Sequence, residues 1–262
     1  MNYETSTAWW IEKSYIDKNT RLNLRSKLSV LDFMTKSEVP TAYFEIGDHI
    51  CIPKIKLQAL ENMIRKPFMK SVLKPNDNFP VFYKDLKYPA LEHQKGVIND
   101  AVDHFTVAED KRVCVCARPG FGKTFMSAAI VNKLKCKFMF IVYSSDLVEQ
   151  TYDAFVEYFG TDDGFLNLSK SNGFMEYDWS KINGLFLTHS MLQSLIRNYG
   201  LNNVINVLLN KFKCDMKIMD EYDVHVKNLY YMECWGNFKY NLYLTGTKFK
   251  NMRPDDNIFQ MS

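Results

Sequence analysis

Residues 112–124 read RVCVCARPGFGKT, and this stretch indicates the fold of the larger part of the chain. Its first five residues suit a short buried strand, and its last residue begins a run with apolar residues at helical spacing. Between them, Gly120 and Gly122 allow a sharp turn in which backbone N–H groups and a helix N-terminus approach phosphate oxygens. Lys123 would reach the β- and γ-phosphates, and the Thr124 hydroxyl would ligate Mg²⁺. The nucleotide-binding residues predicted here are Pro119, Gly120, Phe121, Gly122, Lys123 and Thr124.

The chain after residue 85 alternates strand-like and helix-like segments. Strands separated by helices of about 10–15 residues predict an α/β fold, in which a mostly parallel sheet carries helices on both faces. Ligands of such sheets bind beyond the carboxyl ends of the strands, so the loops after the strands form the candidate site. The strand-like runs are residues 112–116, 137–143, 184–188, 215–220 and 239–245. The helix-like runs are residues 97–105, 124–134, 148–159, 191–197 and 201–212.

Two adjacent carboxylates, Asp220 and Glu221, follow the strand-like run that includes Met219. An acidic pair by itself is commonly a solvated turn. At the carboxyl end of a parallel strand, downstream of a phosphate loop, it suits a metal–nucleotide site. Asp220 would hold Mg²⁺ through water, and Glu221 would polarise the attacking water as a general base. The predicted catalytic residues are Lys123, Asp220 and Glu221, and the predicted metal ligands are Thr124 and Asp220.

The first 80 residues follow a different pattern. Strand-like pieces at residues 41–44 and 50–52 and a helix-like piece at 56–69 predict a small α+β module. The segment at residues 74–80, KPNDNFP, combines prolines with polar residues and is the expected linker. The predicted domains are an accessory domain at residues 1–80 and a nucleotide-binding domain at residues 81–262.

The composition, with 47% apolar and 24% charged residues, is that of a folded protein with a large core. The net charge of +3 arises in the first 85 residues, which hold 13 basic and 10 acidic side chains. This excess could face a polyanion such as nucleic acid, or it could be an ordinary solvated surface. The cysteines form no CxxC pair, and neither a secretory signal nor an apolar run of about 18 residues is visible, so we expect a cytoplasmic setting without a membrane partner. The basic residues concerned are Lys54, Lys56, Arg65, Lys66, Lys70 and Lys74.

The combination of AxxGxGKT with DExD resembles the first RecA-like domain of superfamily 2 DNA and RNA helicases, with Ala117 as the one departure from the usual phosphate-loop pattern. Residues 144–150 resemble motif Ia and residues 187–190 fall where motif Ib lies, and both motifs contact the nucleic-acid backbone in that family. Residues 244–247 resemble motif III, which couples the nucleotide site to the nucleic-acid groove. The implied nucleic-acid residues are Ser144, Ser145, Gln150, Thr188 and His189, and the implied coupling residues are Thr245, Gly246 and Thr247.

The segment that ends at Gln94 resembles the part of these helicases that reads adenine, in which this glutamine is the key residue. Relatives commonly carry an arginine three residues before the glutamine, where this chain has Leu91. The resemblance adds Gln94 to the expected cofactor-binding residues and implies ATP and Mg²⁺ as cofactors. The missing arginine makes the case for adenine weaker than the case for phosphate.

The resemblance as a whole implies a RecA-like P-loop NTPase that acts as an ATP-dependent helicase or translocase on DNA or RNA. A small domain before the motor is similar to the layout of the UvsW helicases of T-even phages, which implies phage or viral DNA recombination, repair or replication. Such motors need a second RecA-like domain, and the 15 residues after Thr247 are too few for one, so we expect a longer protein or a partner chain to supply it. Two other classes stay open, a P-loop ATPase such as a helicase loader or kinase and a module that binds nucleotide without turning it over.

Overall fold

The computed structural model describes residues 3–4, 8–32, 37–40, 43–46, 48–53, 69–70, 85–108, 111–170, 173–221, 238–246 and 258–260. The chain divides into two compact units. The described residues up to Lys70 belong to the first unit, and those from Asp85 onward belong to the second. The linker predicted at residues 74–80 and the domain boundary predicted after residue 80 lie outside the described residues, so both stay predictions.

The first unit has an α+β structure, as predicted. Its elements are β1 (Tyr3–Glu4), β2 (Ala8–Glu12), α1 (Lys18–Lys27), β3 (Ser29–Asp32), β4 (Ser37–Pro40), β5 (Phe44–Ile46), β6 (His49–Pro53) and β7 (Met69–Lys70). Five strands form one sheet in the order β5-β6-β2-β1-β7, while β3 and β4 form a separate antiparallel pair. Neighbours in the larger sheet are antiparallel except β1 and β7.

The core of this unit lies along β2 and β6, whose apolar residues are buried against each other in antiparallel register. Trp9 and Trp10 in β2 are each only 8% exposed and therefore act as packing residues. The strand predicted at residues 50–52 lies within β6 and is confirmed. Met69, predicted as the end of a helix-like piece, instead lies in β7, because its backbone pairs in parallel with β1. The rest of that piece, residues 56–68, lies outside the described residues.

The second unit contains the strands and helices that the alternating pattern predicted. Its elements are α2 (Glu92–Val107), β8 (Arg112–Cys116), α3 (Lys123–Leu134), β9 (Phe138–Val142), α4 (Ser145–Phe159), β10 (Phe165–Asn167), β11 (Gly184–Thr188), α5 (His189–Tyr199), α6 (Leu201–Asn206), β12 (Met216–Met219), β13 (Tyr240–Thr245) and β14 (Ile258–Gln260). A π-helical turn, Val207–Lys211, continues α6. The helix predicted over residues 201–212 is thus confirmed in extent but changes its hydrogen-bond pattern halfway.

The seven strands that the structure describes in the second unit form one sheet in the order β10-β11-β9-β12-β13-β8-β14, and every pairing among them is parallel. One face packs on α2, α3 and α4 through a continuous apolar core. Residues such as Met139 and Leu187 alternate with that core along their strands, so they point to the other face, where α5 and α6 follow β11. The predicted RecA-like arrangement, a parallel sheet between two helical layers, is therefore present.

A cluster of phenylalanine rings fixes α4 on the sheet. The Phe155 ring lies 5.1 Å from the Phe186 ring and 5.2 Å from the Phe138 ring, centroid to centroid. Gly184 opens β11 beside this cluster, and a Cβ atom at that position would overlap the Phe138 ring. Glycine is therefore required there by close packing and not by its backbone angles. The cluster sets the position of the loop between β9 and α4, which belongs to the candidate site.

The register of the sheet brings the carboxyl ends of its central strands to one edge. Cys116, the last residue of β8, lies opposite Thr245, the last residue of β13. Met219, at the end of β12, lies opposite Ile141 in β9, and the neighbouring pair Val142 and Thr188 aligns β9 with β11. The loops that carry the predicted motifs therefore all leave the sheet at the same edge.

Candidate nucleotide and nucleic-acid site

The loop between β8 and α3 has the backbone conformation of a phosphate cradle. Gly120 and Gly122 have φ angles of +85° and +81°, which a residue with a side chain adopts only at a cost. The Phe121 N–H donates a hydrogen bond of 3.2 Å to the Arg118 carbonyl, which closes the turn. Helix α3 then begins at Lys123, so its N-terminal N–H groups adjoin the turn.

The Lys123 ammonium is held beside this loop. Its Nζ atom donates a hydrogen bond of 2.9 Å to the Ala117 carbonyl at the start of the loop. Lys123 and Thr124, which is partly buried, are the first two residues of α3 and directly follow the glycine turn. A phosphate group bound in the turn would compete with the Ala117 carbonyl for the lysine, which is the exchange expected of a charged phosphate ligand.

Gln94 packs behind the loop from α2. Its Oε1 atom accepts a hydrogen bond of 3.1 Å from the Leu91 N–H, and its Nε2 atom donates one of 3.1 Å to the Phe121 carbonyl. A Cβ atom built on Gly122 would lie 2.5 Å from Nε2. The loop therefore needs glycine at this position for two reasons, its φ angle and the adjacent amide. The side chain predicted to read adenine contacts the phosphate loop in this structure.

The predicted acidic pair leaves the end of β12. The Asp220 N–H donates a hydrogen bond of 3.0 Å to the Ile141 carbonyl of β9, and the Glu221 N–H donates one of 2.9 Å to Asp220 Oδ1. Glu221 is exposed and has a φ angle of +49°, in the left-handed region that is unfavourable for a residue with a Cβ atom. Strain of this kind concentrates at functional sites. The two residues that complete the DExD pattern, Tyr222 and Asp223, lie outside the described residues.

Strand β13 lies between the phosphate loop and the acidic pair. With neighbouring strands about 4.8 Å apart, the ends of β8 and β12 are about 10 Å apart across it. The Ala117 N–H donates a hydrogen bond of 3.0 Å to the Thr245 carbonyl, and a Cβ atom on Gly246 would lie 3.8 Å from Pro119 Cδ. Thr245 is fully buried. The structure thus brings the predicted coupling residues against the phosphate loop, except Thr247, which lies outside the described residues.

The predicted nucleic-acid residues lie on the other side of β12, at the N-termini of two helices. The Ser144 hydroxyl accepts a hydrogen bond of 3.3 Å from the Leu147 N–H and caps α4, whose first residue, Ser145, is exposed. The Thr188 hydroxyl accepts one of 3.0 Å from the Met191 N–H and caps α5 in the same way.

These contacts change what each predicted nucleic-acid residue offers. Thr188 is 6% exposed, and its hydroxyl also lies 2.9 Å from the Ser190 hydroxyl, so it acts on the helix end and not on solvent. His189 is partly buried as the first residue of α5, and Gln150 is exposed on α4. The chemistry that the edge presents is therefore mostly that of two helix N-termini, which favour anions.

Sequence reasoning missed two features of this edge. Tyr143 directly follows β9 and is 53% exposed, although an aromatic residue at the end of an apolar run looks like core. The Phe121 ring lies 5.7 Å from the His93 ring and 5.9 Å from the Arg118 guanidinium. Nothing in the sequence pattern indicates this contact, because His93 and Phe121 are far apart in the chain.

The residues present fit a magnesium-bound nucleotide. A left-handed glycine turn, an ammonium, a hydroxyl and a carboxylate meet at one edge, which is the donor set that phosphate and a hard cation require. The part of the chain that the structure describes contains no cluster of three or more His, Cys, Asp or Glu side chains arranged for a metal. Mg²⁺ that binds together with phosphate oxygens and water needs few protein ligands, and Thr124 and Asp220 would serve as these.

Residues 87–249, more than half of the chain, match the family described as type III restriction enzyme, res subunit. The chain belongs to this family. Its larger unit is a RecA-like domain of the superfamily 2 helicase type, as the phosphate loop and the acidic pair predicted.

Solved structures of helicases resemble this res-family chain. The UvsW helicase of bacteriophage T4 is similar with a TM-score of 0.55 and 13% identity over 99% of each chain, which shows a shared fold. A hypothetical ATP-dependent RNA helicase from Sulfolobus tokodaii has a TM-score of 0.47 and 17% identity over 67% of this chain and 54% of that one. The Hef helicase domain of Pyrococcus furiosus has a TM-score of 0.46 and 13% identity over 64% and 37%. None of the curated protein sequences compared with this chain matches it significantly.

Two ionisable groups of this res-family domain with shifted pKa values lie at the opposite edge of its sheet. Burial lowers the pKa of Lys137 and raises the pKa of Asp215, next to the starts of β9 and β12. The Lys137 N–H donates a hydrogen bond of 3.1 Å to Asp215 Oδ2, and its Nζ donates one of 3.1 Å to the Ser180 carbonyl. These contacts join loops at the edge where the strands begin, so the pKa shifts reflect packing and not catalysis.

Among the described residues no helix is both long enough and apolar enough to cross a membrane.

The strain at Glu221 gives a stability prediction. Glu221→Gly removes the Cβ atom from a left-handed residue, which relieves about 1–2 kcal/mol, while the added freedom of the unfolded chain takes back about 0.5–1 kcal/mol. We therefore expect the free energy of unfolding to rise by up to about 1.5 kcal/mol in chemical denaturation. Lys135→Gly is the matched control, because Lys135 has a φ angle of +48° at the end of α3 and is exposed. A gain for Lys135→Gly together with a loss for Glu221→Gly would mean that the Glu221 side chain supports the fold.

Proposed function

We propose that the second unit binds Mg·ATP in the loop at residues 117–124 and hydrolyses it as part of a nucleic-acid helicase or translocase. The observation that carries the proposal is the placement of the glycine turn and the acidic pair at one sheet edge, on either side of β13. The match to a helicase-type family favours this motor over a helicase loader or a kinase. Whether the site turns ATP over or only binds it is decided by the Glu221 experiment below.

Each residue of the site has one task in this proposal. The N–H groups of the glycine turn and the Lys123 ammonium bind the phosphates, and Thr124 and Asp220 hold the metal. The bound magnesium ion would neutralise charge on the phosphate oxygens. The exposed Glu221 carboxylate orients water and accepts its proton, and the strained backbone holds that carboxylate at the edge of the sheet.

Two backbone hydrogen bonds support coupling between the nucleotide and the nucleic acid. One joins the Ala117 N–H to Thr245 at the end of β13, and the other joins the Asp220 N–H to Ile141 in β9. Strand β9 leads directly into the cap of α4, where the nucleic acid is proposed to bind. A shift of the phosphate loop or of the acidic pair would therefore be transmitted to that helix through the sheet.

The nucleic acid, DNA or RNA, is proposed to lie across the N-termini of α4 and α5 and to be held by its phosphates. Such contacts are largely independent of sequence and weaken as the salt concentration rises. The sequence predicted that basic residues of the first 85 would extend this nucleic-acid-binding surface. Of these residues, Lys70 lies in β7, and the others lie outside the described residues. Their part, and that of the accessory domain, stays a prediction.

A second RecA-like domain, from a longer protein or a partner chain, is proposed to close over the nucleotide. It would supply the cationic finger that phosphoryl transfer needs, which contributes on the order of 10³–10⁵ in rate. The likeness to a phage helicase supports a role in phage DNA recombination, repair or replication, with activity in the host cytoplasm.

Replacement of the loop lysine tests nucleotide binding. Lys123→Ala removes a charge-assisted phosphate contact, so we expect Mg·ATP affinity to fall by roughly 10- to 100-fold in a calorimetric titration. Lys133→Ala is the control, because Lys133 is exposed near the other end of the same helix. If the two variants bound Mg·ATP equally well, the phosphates would have to lie elsewhere.

Replacement of the second carboxylate separates binding from turnover. In the presence of the second RecA-like domain, Glu221→Gln is expected to keep ATP bound while hydrolysis falls by about 10²–10⁴, the usual contribution of a general base. The measurements are nucleotide affinity and steady-state phosphate release. Parallel loss of affinity and turnover would instead assign Glu221 to the metal or to the fold, and no turnover even in the unmodified protein would favour the binding module.

A charge placed at the start of α4 tests the nucleic-acid face. Ser145→Glu adds a negative charge where it stabilises a helix but repels a phosphate, so the variant should stay folded and bind single-stranded DNA about tenfold more weakly at low salt. Its slope of log affinity against log salt should also become shallower by roughly one. Ser194→Glu, exposed farther along α5, is the control of equal charge. Equal binding by both variants would remove the N-terminus of α4 from the interface.

A further inference from the structure

Tyr143 presents an aromatic ring at the sheet edge that carries the candidate site. All five residues of β9 are buried, yet Tyr143, the residue that follows them, is 53% exposed. One exposed apolar residue is ordinary on a protein surface, so its surroundings decide what it can do. An aromatic ring differs from an aliphatic side chain because it also offers a π-face for stacking.

The pairing of β9 sets the place of Tyr143 on this edge. Strand β9 runs between β11 and β12, and Val142, its last residue, lies opposite Thr188, the last residue of β11. On the other side, the Asp220 N–H donates its hydrogen bond to the Ile141 carbonyl. Tyr143 therefore leaves the edge between the acidic pair and the start of α5. It lies between the proposed nucleotide site and the proposed nucleic-acid face.

The loop that carries Tyr143 is held by groups other than its ring. The Ser144 hydroxyl accepts the Leu147 N–H, and the Ser144 carbonyl accepts a hydrogen bond of 3.1 Å from the N–H of the fully buried Val148. The phenylalanine cluster around Phe155 anchors α4 on the sheet. A change of the ring at position 143 is therefore expected to leave the backbone in place.

We propose that Tyr143 stacks on a base of a single-stranded nucleic acid, and that this contact favours unpaired strands over duplex. Stacking on an aromatic side chain tolerates every base, because every base has a π-face. A base inside a duplex is already stacked on its neighbours and would have to leave them first. The proposal rests on the proposed function, because it presupposes that nucleic acid binds at the starts of α4 and α5.

The first experiment compares two replacements of the ring. Tyr143→Phe keeps a π-face, whereas Tyr143→Leu keeps apolar bulk without one. With a fluorescent thymidine oligodeoxynucleotide, we expect Tyr143→Phe to bind within about twofold of the unmodified full chain and Tyr143→Leu to bind roughly tenfold more weakly. Thermal melting shows that both variants are folded. If Tyr143→Leu bound the strand as tightly as the unmodified chain, the proposal would be overturned.

Tyr199→Leu is the matched control for this experiment. Tyr199 is 38% exposed and is the last residue of α5, about 15 Å along the helix from its start. The same chemical change is therefore made on an exposed ring away from the edge. The affinity of this variant for the strand is expected to equal that of the unmodified chain. An equal loss in Tyr143→Leu and Tyr199→Leu would assign the effect to the protein surface in general and would contradict the proposal.

An abasic strand of the same length separates a contact with a base from a contact with the sugar or the phosphate. It keeps every phosphate and sugar, so the deficit of Tyr143→Leu relative to the unmodified chain should vanish on it. On the ordinary strand, the slope of log affinity against log salt should be the same for both proteins, because no charge is changed. A deficit of the same size on the abasic strand would show that the ring supports the sugar or the fold, and would overturn the proposal.

A blunt duplex of the same length tests the preference for unpaired strands. The ratio of single-strand affinity to duplex affinity is expected to fall by roughly tenfold from the unmodified chain to Tyr143→Leu, because only the unpaired strand offers a base for stacking. An unchanged ratio would overturn this proposal and leave the proposed function standing. If the unmodified chain bound neither strand nor duplex at low salt, the nucleic-acid part of the proposed function would fail, and this proposal with it.

Discussion

Parallel pairing of the strands in the second unit is the constraint on which the candidate site depends. Because every strand of this sheet runs in the same direction, five loops that are far apart in sequence leave it at one edge. The register then sets which loops are neighbours, and β13 ends between the phosphate loop and the acidic pair. A slip of one residue in any pairing would reverse which side chains face the core and would displace these loops.

Within this arrangement the site is held mainly by backbone groups. The Ala117 and Asp220 N–H groups bond to neighbouring strands, and serine and threonine hydroxyls cap the helices that follow. Side-chain chemistry enters at few positions, chiefly Lys123 and Glu221. Glu221 combines exposure with a left-handed backbone at the carboxyl end of β12, beside the metal ligand predicted at Asp220. This division of the site between backbone hydrogen bonds and a few reactive side chains suits a motor, in which a rigid frame carries a small number of reactive groups.

The sequence predicted this frame well, because its signals are local. The apolar run of β8, the glycine turn and the helical spacing of α3 lie within 25 residues of one another, and the structure confirms all three. The edge strands β10 and β14 were not predicted, since three residues are too short to show an apolar period. In the first unit, Met69 was assigned to a helix because its pairing with β1 is a distant contact that no local pattern contains.

The site was predicted as a list of residues but not as a set of contacts. A sequence places Gln94 before the phosphate loop, yet only the fold shows that its amide bonds the Phe121 carbonyl. In the same way, Thr188 looks like a ligand for nucleic acid until its hydroxyl is found in the cap of α5. Resemblance to a family supplies residue types, and the partners of each side chain decide what it can do.

Backbone hydrogen exchange with and without Mg²⁺ and a non-hydrolysable ATP analogue tests the central claim most directly. The account predicts slower exchange of the amides in residues 118–124, with smaller effects at residues 220–221 and at Gly246. Exchange in the surface turn at residues 162–164, far along the chain from the nucleotide loops, should not change. Unchanged exchange at residues 118–124 under saturating nucleotide, or protection confined to other parts of the chain, would contradict the placement of the nucleotide in this loop.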